Sequence, residues 1–447
     1  MPTPTARAQD REIVRLAVPA FLALVAEPLF LLADAAIVGH LGTRELAGLG
    51  IAAAILQTVV GLCIFLAYGT TAAVARHLGA GQLRRALAQG IDGIWLAILI
   101  GTVATVAGVL LTTPLVALFG TGPAVSGFAE DYLRVAFLGT TPLLIMLAAT
   151  GVLRGLQDTR TPLVVAVAGN LVNIVLNYVL VYGAGPVPAL GIAGAALGSV
   201  VAQVASALAL GWVVVRAARR EGASLRPDLP GIRASGRAGV PLLVRTLTLR
   251  ASLLIGTYAV VLASGSDDGV GMATHQLAMT LWSFLAFVLD AIAIAAQAIT
   301  GRYLGAGDVD GTRAVTARMI TWGWRSGIVT GLGLAALSPF LGPLFTPDPA
   351  VQDLLVPVLI VAAIGQPVAG IVFVLDGVLI GAGDGRYLAW TGLLVLLAYA
   401  PAALVAGWLT HSVVWVWVAM TVVFMCARLV VLVTRSRGSA WMVTGAR

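Results

Sequence analysis

The chain has 447 residues, 59% of them hydrophobic and only 11% charged, where soluble domains carry about 25% charged residues. That balance excludes a soluble globular protein. The basic residues are all arginine and give a net charge of +7, but they are scattered through short connections, which argues against a nucleic-acid partner.

The amino-terminal stretch MPTPTARAQDREIVR has no short apolar core ahead of a cleavage site, so no signal peptide is expected. Apolar runs long enough to cross a bilayer then follow one another. Twelve spans are expected, at 13–38, 46–73, 91–118, 132–153, 161–182, 190–215, 238–264, 272–300, 315–343, 352–380, 388–408 and 412–434. Connections after even-numbered spans carry arginines: Arg76, Arg84, Arg85; Arg154, Arg160; Arg216, Arg219, Arg220, Arg226, Arg233, Arg237; Arg302, Arg313, Arg318; and Arg386. Both chain ends join them, through Arg7, Arg11 and Arg15 and through Arg435, Arg437 and Arg447. Connections after odd-numbered spans hold Arg44 alone, beside acids such as Glu130, Asp131, Asp267, Asp268, Asp348 and Asp353. The positive-inside rule then predicts a multi-pass membrane protein with both termini cytoplasmic.

The halves repeat. Arg76-His77-Leu78-Gly79-Ala80-Gly81 is matched by Arg302-Tyr303-Leu304-Gly305-Ala306-Gly307, 226 positions later. Phe119 and Pro123-Ala124-Val125 match Phe345 and Pro349-Ala350-Val351 at the same offset, as do Gly155, Asp158 and Arg160 with Gly381, Asp384 and Arg386. The organisation expected is an amino-terminal six-helix lobe over 1–215, a basic cytoplasmic linker over 216–237, and a carboxy-terminal six-helix lobe over 238–447. Two lobes of six spans enter from the same side, an arrangement common in alternating-access transporters, with substrate bound between the repeats.

Charged groups inside a membrane are costly and mark function or a paired contact. Span 1 carries Glu27 and Asp34, seven residues apart and so on one helical face, with Pro28 between them to bend the helix. Span 5 carries Asn170, Asn173 and Asn177, again on one face and at a similar depth. Their amides would hold a carboxylate and tune its hold on a proton. The competing reading is interhelical glue worth about 1 kcal/mol per bond. In the second half, Arg245 and Arg250 lie in span 7, Trp282, Asp290 and Gln297 in span 8, and Asp376 in span 10. Depth counting suggests an Arg250–Asp290 pair, an inner-vestibule position for Asp376, and a cavity or packing role for Gln297 and Trp282. Cys63 and Cys426 read as separate buried thiols. His40, His77, His275 and His411 show no metal-ligand spacing. With no phosphate-binding loop or nucleophile elbow, the chain is not expected to be an enzyme or to need a cofactor beyond a coupling ion.

Several segments together resemble the multidrug and toxic compound extrusion (MATE) family, its DinF-like branch in particular. They are DAAIVGHLG at 34–42, RGLQDTRTP at 154–162, NLVNIVLNYVLV at 170–181, LGIAGAALGS at 190–199, the long stretch from His275 to Asp308, and VLDGVLIGAGD at 374–384. The resemblance implies an all-α polytopic membrane protein with two pseudo-symmetric six-helix lobes around a central cavity. It implies an antiporter that exports small organic, cationic or amphipathic compounds, driven by inward proton flow, with sodium the second choice. It places Asp34 at the ion-coupling aspartate of helix 1 and Asn173 at its helix-5 partner. Where some members have a further aspartate this chain has Asn177, one carboxylate fewer in that lobe. Bending of helix 1 at a proline would fall to Pro28. A monomer is expected. The rival within the transporter class is a flippase for lipid-linked or polysaccharide precursors, which basic residues such as Arg245 and Arg250 would suit.

Overall fold

In lipid, every backbone N–H and C=O needs a partner within the chain, and a helix supplies these locally. The computed structural model describes residues 6–265 and 269–446. Among these, twelve helices are long and apolar enough to cross a membrane. They are α1 Ala6–Gly39, α2 Thr43–Gly79, α3 Leu83–Leu110, α4 Pro123–Gly155, α5 Arg160–Tyr182, α6 Gly191–Arg220, α7 Leu229–Ser264, α8 Val270–Gly305, α9 Val309–Phe345, α10 Pro349–Gly381, α11 Gly385–Thr410 and α12 Val413–Arg437. Asp267, Asp268 and Arg447, which entered the charge pattern, lie outside the described residues.

The helices overrun the apolar runs. α1 has 34 residues, roughly 50 Å at 1.5 Å per residue, against a hydrocarbon core of about 30 Å. Hydropathy stops a span at its first charges, but Ala- and Arg-rich sequence continues a helix readily. For this reason the linker expected over 216–237 is mostly helical. α6 runs to Arg220 and α7 begins at Leu229, leaving 221–228 outside both. The third span is also shifted. α3 starts at Leu83 and ends at Leu110, and Thr112–Ala117 forms a separate short helix. Three helices are irregular: α2 is interrupted at Ile64, α4 contains a 3₁₀ turn over Phe137–Gly139, and α12 contains a π-helical turn over Ala419–Met425.

Packing sorts the chain into two units. One holds the chain up to Phe21 together with Val240–Gly445, and the other holds Leu22–Gly239. The boundaries fall inside α1 and α7. The start of α1 packs with the second half of the chain, and the start of α7 packs with the first half.

The repeat seen in the sequence is a repeat of backbone. α2 and α8 end in glycines of positive φ, Gly81 at 71° and Gly307 at 76°, and the turns after α4 and α10 place Gln157 at 66° and Gly383 at 75°. Each pair is 226 positions apart. Helix crossings repeat as well. Gly151 of α4 lies against the Ala67 carbonyl of α2, where a Cβ would come within 2.6 Å of the oxygen. Gly377 of α10 lies in the same way against the Ala293 carbonyl of α8. Small residues let membrane helices approach this closely.

Gly81 and Gly307 have open space where a side chain would start, so an alanine there meets backbone strain alone. Gly81→Ala and Gly307→Ala should each destabilise the protein by about 1 kcal/mol, read as a lower midpoint in thermal unfolding of the detergent-solubilised protein. Unchanged midpoints would show that these turns do not need the left-handed conformation.

Candidate functional site

The unit Leu22–Gly239 buries a polar chain that draws on α1, α4, α5 and α6. Asp34 of α1 is only 4% exposed. Its Oδ1 accepts a hydrogen bond from Asn177 Nδ2 of α5. The same Nδ2 donates to Asn173 Oδ1, one turn earlier, at 2.8 Å. Asn173 Nδ2 donates to Ser199 Oγ of α6 at 3.0 Å, and Ser199 Oγ donates to the Ala195 carbonyl at 3.0 Å. Tyr132 of α4 is buried beside this group. Asn177 Nδ2 thus faces two acceptor oxygens, so its amide orientation follows from the network.

Two further bonds fix α1 on α5. Asn170 Nδ2 donates to the Ala26 carbonyl at 3.2 Å, and Tyr182 Oη donates to the Ile37 carbonyl at 2.6 Å. They bracket Asp34 on either side. The three asparagines share the face the spacing predicted: Asn170 and Asn177 bond to α1, while Asn173 bonds to Asn177 and to Ser199 of α6. Gly198 makes room for it: a Cβ there would overlap Asn177 Oδ1. Glu27 differs. It shares a helical face with Asp34 by spacing, but it is exposed and has no hydrogen-bond or ion-pair partner among the described residues. α1 remains helical through Pro28.

The other unit has a compensated charge cluster. Asp376 of α10 accepts Arg245 Nη2 of α7 at 2.5 Å on Oδ2, and Arg428 Nη2 of α12 reaches the same oxygen. Arg428 also lies over the rings of Phe424, at 5.5 Å, and Phe373, at 6.0 Å. A small cavity beside the cluster is lined by Arg245, Ser252, Asp376, Thr391, Phe424 and Arg428. The expected Arg250–Asp290 pair is not found. Arg250 is exposed and forms no ion pair among the described residues. The depth count that suggested it assumed a seventh span starting at 238, nine residues later than α7 begins, and it left Arg428 out. Asp376 is a buried ion-pair centre. Gln297 is buried in the α8–α10 crossing, with its carbonyl against Gly381, and Trp282 is half-buried on α8.

Three residues of these clusters went unremarked in the sequence. Arg428 is a charge within the twelfth expected span, which is itself a signal of a buried partner. Tyr132 and Ser199 carry no such signal, because a tyrosine or serine in an apolar run is commonplace. No group of three His, Cys, Asp or Glu residues able to hold a metal occurs among the described residues.

The MatE family model matches residues 19–179 and 246–405, two stretches covering most of both halves. DETOXIFICATION 44, a chloroplastic protein of Arabidopsis thaliana, is 31% identical over 440 residues, covering 94% of this chain and 80% of its own. DNA damage-inducible protein F of Escherichia coli K12 is 30% identical over 432 residues, covering 92% and 89%. The fold is similar to a solved outward-facing conformation of a multidrug resistance MATE family transporter of the MOP superfamily. The TM-score is 0.87 at 22% identity, over 98% of this chain and 97% of that one.

The contact between Gly198 and Asn177 can be tested by itself. Gly198→Ala should push Asn177 off Asp34 and destabilise the protein by about 2 kcal/mol, measured by thermal unfolding. A Gly198→Ala protein as stable as the parent would show that Asn177 does not sit in that gap.

Proposed function

Because the chain belongs to the MATE family of membrane transporters, we propose that it is a secondary antiporter. On this reading it exports small organic, cationic or amphipathic compounds across a bacterial inner membrane in exchange for protons. Asp34 carries the reading. It is a buried carboxylate with amide and hydroxyl neighbours and no cationic partner among the described residues. A buried charge without a partner is costly, so something must neutralise Asp34, and a proton or a small cation is what can come and go. Asp376 has two guanidiniums for the same purpose and needs no exchangeable ion.

A proton is favoured over sodium by the group that faces Asp34. Asn177 presents an N–H, and a metal cation needs oxygen ligands there. Glu27, exposed near the middle of a helix that crosses the membrane, suits a water-filled path better than lipid. Pro28 leaves the Leu24 carbonyl without its helical N–H, which makes that turn the place where α1 bends most readily. Coupling then means that loading Asp34 favours one conformation over another. Cytoplasmic termini and action as a monomer complete the proposal. Of the two arginines that would suit a flippase, Arg245 is engaged by Asp376, which leaves that alternative only the exposed Arg250.

The tests use purified protein in lipid vesicles, with ethidium as the exported probe and imposed pH or sodium gradients. Asp34→Asn, incorporated at the parental level, should lose pH-driven export down to that of empty vesicles. Export at the parental rate would remove Asp34 from the mechanism, and export driven by sodium alone would replace the proton. In the same assay Pro28→Ala should slow turnover roughly tenfold while the fold stays intact in thermal unfolding. An undiminished rate would place the bend elsewhere.

A further inference from the structure

α1 and α7 each give their first turns to a different unit from the rest of the helix. We call these first turns arms: Ala6–Phe21 of α1 and Leu229–Gly239 of α7. The partners of the two arms are equivalent by the repeat. The arm of α1 packs on α9, at Arg318 and Trp322. The residues 226 positions earlier are Asp92 and Leu96 of α3, and these lie under the arm of α7.

The chemistry of the two seats differs. On the arm of α1, Asp10 Oδ1 accepts Arg318 Nε at 2.6 Å and Trp322 Nε1 at 2.8 Å. Glu12 pairs with Arg302 of α8 at 2.7 Å. Ile13, Leu16, Ala17 and Ala20 form a buried apolar stripe at helical spacing. The arm of α7 has an aspartate opposite it where the other has Arg318, and it forms no ion pair among the described residues. It is held by Gln89 Nε2 donating to Ser235 Oγ at 2.8 Å, by one partly buried apolar side chain, Ile232, and, just before it, by Asp228 N donating to Asp92 Oδ1 at 3.3 Å. Its Arg233, Ala234, Arg237 and Ala238 are exposed. It also ends in a weak stretch of helix. Gly236 and Gly239 lower helix stability, and Pro241 removes a backbone hydrogen bond just beyond them.

A helix shared by two bodies resists their relative motion unless it bends or lets go at one seat. This rests on the transport reading only in requiring that the two units move against each other. We propose that the arm of α7 is a releasable strap, detached and re-seated on α3 as the units move, while the arm of α1 stays clamped to α9. The lighter seat yields first, and the Gly239–Pro241 stretch provides the flexure.

The test needs neither substrate nor ion gradient, so its failure is separate from a failure of the antiport reading. The full chain, with Cys63→Ser and Cys426→Ser, is placed in lipid nanodiscs. Fluorophores are attached through keto amino acids at the exposed positions 85 and 313, and exchange between distance states is followed on single molecules. A short bis-methanethiosulfonate bridges either Gln89→Cys with Ser235→Cys or Asp10→Cys with Arg318→Cys. Bridging 89 to 235 should slow exchange by about tenfold or more, reversed by reductant, and bridging 10 to 318 should leave the rate as in the same protein reduced. The strap is overturned if the 89–235 bridge leaves the rate unchanged. It is equally overturned if the 10–318 bridge slows exchange as much.

Discussion

Lipid gives apolar helices little reason to prefer one another over the bilayer, so close packing has to hold them together. In this protein that packing depends on side chains that are absent. Gly151 and Gly377 bring helix backbones against carbonyls, Gly323 and Gly370 do so across α9 and α10, and Gly198 opens the gap that Asn177 fills. Two of these contacts lie at polar residues. Asp376 is one residue before Gly377, and Asn177 would have nowhere to go if Gly198 carried a methyl group. The polar clusters are therefore products of helix approach, and their geometry is only as good as the glycine contacts beneath them.

On that scaffold the two halves repeat in backbone and diverge in chemistry. The positions 226 residues after Asn173 and Asn177 hold Tyr399 and Ala403, and the position 226 residues before Asp376 holds Thr150. Tyr399 is buried, with its hydroxyl against the close approach of Gly256, and no carboxylate among the described residues bonds to it. One unit thus holds a carboxylate with no cationic partner among the described residues, and the other holds a carboxylate between two guanidiniums. The first joins α1 to α5 through an amide, and the second joins α7, α10 and α12 through two ion pairs.

Much of this was legible in the sequence. Twelve spans, the repeat offset and the shared face of Asn170, Asn173 and Asn177 follow from apolar length and helical spacing, which survive any detail of packing. Asp34 stood out because an intramembrane acid is rare, and the family resemblance pointed to the same residue. The failures have a common cause. Sequence spacing orders residues along one helix but says nothing of how neighbouring helices are offset along the membrane normal. Counting from the ends of the apolar runs pairs Arg250 with Asp290, but α7 begins nine residues before its run, at Leu229, and the depth match is lost. Tyr132 and Ser199 are ordinary residues that acquire meaning only from what lies across from them. The seats of the two arms were equally hidden, since nothing local tells a helix that its first turns belong to another unit.

The π-helical turn in α12 has a consequence for how this chain can vary. Bonding from i to i+5 accommodates one more residue than an α-turn does, so everything beyond Met425 is rotated relative to an uninterrupted helix by about 100°. Arg428, three residues past the turn, meets Asp376 from that rotated position. Losing any one residue between Ala419 and Met425, whichever it is, would swing the guanidinium to a different side of the helix. The ion pair therefore depends on the number of residues in that turn as much as on their identity. A deletion there moves the guanidinium, whereas a substitution at an exposed position of the turn such as Val422 leaves it in place.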